Sequence, residues 1–149
     1  MTHDGNFDPW QNADSLCQQL ATTAGLSGGF KAWLSPSAAN QVASRFSHSV
    51  RPYQLLTGTV IANDWADLTD GQIQHAIDRD EYGNLTSATA AWTGTQQTGL
   101  AGPEHCNRWK SADAADRGVR GAVNNLMLWS FGGTSFTCDR QLPVYCFQQ

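Results

Sequence analysis

The chain has 149 residues, a net charge of −4, 40% hydrophobic residues and only 15% charged ones. That length supports one domain with its own core, and a charged share below the usual ~25% excludes a coiled coil or a charge-rich disordered tail. No apolar run reaches the ~18 residues that cross a bilayer, and an acidic chain with nine scattered Lys and Arg has no electrostatic footing for nucleic acid, so neither nucleic acid nor membrane insertion is expected.

Residues 1–12 are polar and read as an N-terminal arm; the domain is expected over 13–149. Residues 1–20 contain no apolar signal core, so an exported precursor is expected to have lost its signal. Leu16, Cys17, Leu20, Ala21 and Ala24 recur at helical spacing. Asn12 or Asp14 can cap this first helix, and Gly25 can take the left-handed position after it. Phe30–Leu34 alternates like a strand. Ser35-Pro36 reads as a cap with Pro at the first helical position, predicting a second helix to about Phe46 with Ala39, Val42, Ala43 and Phe46 inward.

The middle predicts short strands at Tyr53–Leu56 and Thr59–Ala62 around Gly58. Asn63–Asp70 is polar and acidic around Trp65, and Gly71–Ile77 fits either a strand or a short helix. Asp80–Asn84 is a turn signal, and Ala90–Thr93 a strand ending at Gly94. Beyond Cys106 and Trp109, Asp113–Asn125 reads as a Gly- and Asp-punctuated loop. Leu126–Phe131, Phe136–Asp139 and Val144–Phe147 read as closing strands. Early helices and late short strands predict an α+β domain.

The cysteines are Cys17, Cys106, Cys138 and Cys146, with no C-x-x-C pair. Zinc ribbons and thioredoxin-like sites need close spacing, so two disulfides in an oxidising compartment are expected. Four cysteines leave three pairings open.

The run Cys17-Gln18-Gln19 through Ala24-Gly25-Leu26-Ser27-Gly28-Gly29-Phe30-Lys31-Ala32-Trp33 resembles the opening of the endostatin domain of collagens. Ala91-Trp92-Thr93-Gly94-Thr95, Cys106-Asn107-Arg108-Trp109 and the segment from Thr137-Cys138 to Val144-Tyr145-Cys146-Phe147 resemble its later motifs, in the same order. The resemblance extends to domains of bacterial secreted and surface proteins. It implies a C-type-lectin-like fold, with two helices packed on a twisted, mostly antiparallel sheet and long loops. It also implies the nested pairing Cys17–Cys146 and Cys106–Cys138.

Gly25-Leu26-Ser27-Gly28-Gly29 spells G-x-S-x-G, but a helix precedes it and a strand is expected to follow. A nucleophile elbow needs the reverse order, so no catalytic residue is assigned. His3, His48, His75 and His105 form no metal-binding pattern. Asp64, Asp67, Asp70, Asp78, Asp80 and Glu81 supply hard oxygens without an EF-hand spacing. The sugar-binding triplets of C-type lectins are missing; Gly102-Pro103-Glu104 and Trp65-Ala66-Asp67 only approximate them. No cofactor or metal site is therefore assigned. A structural calcium in the acidic stretch or a zinc near His3 and Asp4 is the alternative. Arg45, Arg51, Arg79, Arg108, Arg117, Arg120 and Arg140 are scattered, so the heparin face of animal endostatins is not carried over. Asn84-Leu85-Thr86 is a glycosylation sequon, meaningful only in a eukaryotic secretory pathway.

The resulting expectation is a secreted or cell-surface, non-enzymatic recognition or adhesion module for an extracellular protein or glycan. Its candidate contact residues are Trp10, Trp65, Asp67, Asp80 and Glu81, with the face drawn from Asn63–Asn84 and Asp113–Asn125. The alternatives are a structural subunit of a fibre, appendage or tail, and a hydrolase on a lectin-like scaffold.

Overall fold

The first helix forms where its periodicity predicts it. In the computed structural model, which describes residues 1–149, α1 spans Asn12–Thr23 and buries Ala13, Cys17 and Ala21 along one stripe. Gly25 follows at φ +74°, the left-handed position. Neither predicted cap is used: Gln11 holds the N-cap place without a side-chain bond. The Asp14 carboxylate turns inward instead. It accepts the Ala32 N–H at 2.9 Å and the Arg45 guanidinium at 2.6 and 2.8 Å.

Strand β1 (Phe30–Ala32) pairs antiparallel with β7 (Cys146–Gln148), with Lys31 opposite Phe147. The Cys17–Cys146 disulfide joins α1 to the same ladder. Cys106–Cys138 closes a second loop inside it.

The predicted second helix is not continuous. The structure has a 3-10 turn at Ala38–Asn40 and one turn, α2, at Val42–Arg45, split by extended Gln41. Val42 and Phe46 are buried, whereas Ala38–Asn40 are exposed, so no single inward face runs through the segment. Ser35 does not cap a helix at Pro36. It is buried, and its Oγ accepts the Val42 N–H at 3.1 Å.

Strands β2 (Tyr53–Gln54) and β3 (Val60–Ala62) form the expected hairpin over Gly58. The acidic stretch contains a single-turn helix, α3 (Trp65–Leu68), capped by the Asp64 carboxylate on the Asp67 N–H at 2.9 Å. Gly71–Ile77 is neither strand nor helix; Ile73 and Gln74 bond Leu126 and Ile61 from irregular chain.

A three-stranded antiparallel sheet runs β4 (Ala90–Trp92), β5 (Arg117–Ala122), β6 (Ser135–Thr137). Its central and longest strand lies inside the segment read as a loop. The glycines that disguised it are required by packing. A Cβ at Gly118 would meet the Cys106 sulfur, and one at Gly121 would overlap the Trp129 carbonyl. Leu126–Phe131 is not a strand. Only flanking bonds, Ala122 N–H to Leu128 O and Gly132 N–H to Arg120 O, meet β5, while Trp129 and Ser130 turn into the core between them.

The Cys106–Trp109 turn, α4, is left-handed, with φ between 47° and 61° at four successive non-glycine residues. Such backbone costs about 1–2 kcal/mol per residue. Burial of Cys106 and Trp109 and the Cys106–Cys138 bridge hold it there. The molecule is thus a small α+β domain with antiparallel sheets, two disulfides, one long helix, three single α-helical turns and one 3-10 turn. The polar first residues lie against this body. His3 bridges Leu142, Gly5 N–H bonds Cys138 O, and Phe7 is buried beside Trp109.

Truncating Asp14 strands both the Arg45 charge and the Ala32 N–H in a half-buried setting. Asp14→Ala is expected to cost about 3 kcal/mol in urea unfolding. Lys110→Ala breaks the half-exposed pair with Asp8 and is expected to cost under about 1 kcal/mol in the same assay.

Candidate functional site

The sequence-predicted contact residues fall in three places. Trp10 lies under the Arg45 guanidinium, 4.3 Å from its ring. Trp65 begins α3 and packs 6.0 Å from Trp33 and 6.4 Å from Phe46. His48 stacks on Trp65 at 4.1 Å and 4°, leaving that ring little open face. Asp67 accepts the Asn63 N–H and the Gln74 amide, both at 2.6 Å, so its carboxylate ties together the loops around α3. Asp80 and Glu81 stand elsewhere, on the wall of a long surface cavity.

That cavity is a groove of about 770 Å³. Leu16 and Leu20 of α1 form one side, Tyr53–Leu56 of the hairpin another, and β7 runs along it with Val144 and Tyr145. Most lining side chains are apolar. The charged ones are Arg51, Arg79, Asp80 and Glu81, two of each sign.

The Asp80–Asn84 turn builds the rim. The Asp80 carboxylate accepts the Tyr82 N–H at 3.0 Å and the Asn84 N–H at 2.8 Å, and Gly83 supplies the left-handed residue. These bonds, the one from Asn84 foremost, hold the Asp80 carboxyl below the usual aspartate range. The turn carries Tyr82 outward, 59% exposed, beside Leu85 at 65%. Leu56, 49% exposed, comes from the hairpin and faces the turn at Gly83. The sequence located this turn but not its aromatic. A Tyr inside an Asp-Glu-Tyr-Gly-Asn run was the available signal for an outward ring.

Burial raises Tyr53 above the ordinary phenol range, the Ser49 N–H opposing and Asp64 adding. Burial raises Tyr145 further, against the pull of Arg120. Of the lining hydroxyls, Ser49 bonds the Arg51 carbonyl and Thr86 accepts the Ala88 N–H. The histidines stand elsewhere: His105 Nδ1 accepts the Arg108 N–H, and His48 and His75 contact backbone carbonyls. Ser27 is exposed, and its carbonyl accepts the Gln148 amide. No three His, Cys, Asp or Glu side chains converge at metal-binding distance.

Compared with known proteins, the chain matches no family model and no curated sequence.

The depressed Asp80 carboxyl sets a sign for acid behaviour. Its contribution to the turn is complete above the ordinary aspartate value of about 3.9 and is lost as pH falls through the lower folded value. The protection of the Tyr82 and Asn84 amides against exchange, read by NMR relative to the unstructured rate at the same pH, should fall only below that ordinary value. Asp80→Asn should show the lower protection already at neutral pH. The raised Tyr53 and Tyr145 work in the opposite direction. Unfolded chain loses their protons near pH 10, so stability should fall as pH rises past that value, checked by urea unfolding across an alkaline series.

Proposed function

We propose that the chain is a secreted or cell-surface recognition module with a C-type-lectin-like fold, acting by contact with an extracellular protein or glycan rather than by turnover. The observation that carries this reading is the groove. It combines an apolar wall, a rim of balanced charge and exposed Tyr82 and Leu56 beside it. A half-apolar mouth with a few fixed polar groups is the usual form of a ligand cleft. Exposed aromatic and aliphatic anchors beside such a cleft are typical of binding hot spots. The Ser49 and Thr86 hydroxyls of the lining are engaged in local turns, and no histidine stands beside them as a base, which fits binding better than nucleophilic chemistry. The two disulfides accord with an oxidising, extracellular setting.

A second reading, a subunit of an assembly, has its own observation. Leu100, Met127 and Leu128 are exposed on neighbouring loops that the Gln97 side chain ties together.

The test is binding of the full chain to glycan and matrix-protein arrays, with and without EDTA. Binding that survives EDTA and weakens about 10-fold in Tyr82→Ala and Leu56→Asp is expected. Binding indifferent to both substitutions removes the groove from the reading. Concentration-dependent self-association, abolished by Met127→Asp and untouched by Leu56→Asp, favours the assembly subunit.

A further inference from the structure

The β1–β7 ladder leaves one edge open, and the direction of that edge follows from its hydrogen bonds. Phe30 and Ala32 donate their N–H groups to Gln18 and Asp14 of α1, away from β7. Lys31 and Phe147 are therefore the pair that exchanges bonds between the strands. The flanking bonds agree: Gln149 N–H to Gly29 O, and Trp33 N–H to Tyr145 O. Alternation then turns the N–H and C=O of Cys146 and Gln148 away from β1. Both residues are exposed, and none of these four main-chain groups has a partner within the chain. β7 thus carries an unpaired edge, and the residues bearing it line the groove.

We propose that the groove takes an extended peptide strand, added antiparallel or parallel to β7 through the main chain of Cys146 and Gln148. This rests on the recognition reading above and names its ligand class. An open strand edge is matched by another backbone in extended form, not by a sugar ring or a helix. Alternate side chains of an added strand point to one face, where Leu16, Leu20 and Val144 offer apolar contact. The lining charges cancel, two Arg against two carboxylates, so the complementary strand is uncharged and apolar on alternate positions.

The probe is a display library of random peptides of about ten residues, selected on the intact, disulfide-bonded chain, beside a glycan array. Enriched peptides should have alternating apolar residues. Their binding should fall at least ~10-fold when alternate amides are N-methylated, which removes donors and leaves the side chains unchanged. Gln148→Pro, which deletes an outward N–H and keeps the bonds to β1, should weaken binding similarly, and Gln148→Thr should preserve it. Should Gln148→Pro misfold, the N-methylated peptides decide the matter alone. Peptides that bind regardless of N-methylation overturn strand addition and leave groove recognition standing. Glycan binding with no enriched peptide does the same. Neither peptide nor glycan binding removes both readings.

Discussion

The two ends of the domain are held in one ladder, and the rest of the architecture depends on that closure. β1 follows the first helix and β7 is almost the last segment of the chain, yet Lys31 lies opposite Phe147. Two covalent or ionic clamps sit on the junction. Cys17–Cys146 links the helix to β7 across a separation of 129 residues, worth about 5 kcal/mol in the chain-entropy picture. Asp14 joins the helix to β1 through the Ala32 N–H and to α2 through Arg45. A chain with this much irregular backbone gains little from helix or sheet propagation, so such long-range ties carry a large share of its stability.

Inside the closure, rings substitute for regular secondary structure. Trp33 contacts Phe46, Trp65, Trp129 and Phe147 at centroid distances of 4.8 to 6.0 Å, and its Nε1–H donates to buried Ser130 Oγ at 2.7 Å. A second cluster gathers Phe7, Trp92 and Trp109 around the Cys106–Cys138 bridge. The left-handed turn at Cys106–Trp109 is tolerable because its two inward residues are fixed by that bridge and by the Trp109 Nε1–H bond to Ser35 O at 3.1 Å. Strain is local there, and its compensation is tertiary.

The groove arises at the seam between these parts. α1, the β2–β3 hairpin and the 80–84 turn come from separate stretches and meet along β7. Because α1 side chains already satisfy the outer donors of β1, the open edge of the ladder is the one on β7. The same clamps that close the domain therefore leave an edge exposed beside an apolar wall, a combination that suits contact with a partner.

Local chemistry was enough to place several elements. The Leu16–Ala24 periodicity and Gly25 defined α1, Gly58 the hairpin, and Asp80–Asn84 the rim turn, since each is set by residues adjacent in the chain. An even cysteine count implied two bridges, but residue types alone left their pairing open; only the family resemblance pointed to the nested one that the geometry realises. Elsewhere, distant contacts decided. β5 looks like a loop because Gly118 and Gly121 yield space to the Cys106 sulfur and the Trp129 backbone, partners that lie outside the strand itself. The Ser35–Phe46 segment breaks because Ser35 bonds Val42 and Thr95 in the core instead of capping a helix. Trp10 and Trp65, candidate contacts by sequence, are half-buried against Arg45 and His48, while Tyr82 is an exposed ring. Sequence by itself determined the first helix, the Gly58 and Asp80–Asn84 turns and the even set of cysteines that forms two bridges. Tertiary structure decided which strands pair, which aromatics stay exposed and where the groove lies, because those depend on which distant groups occupy the same space.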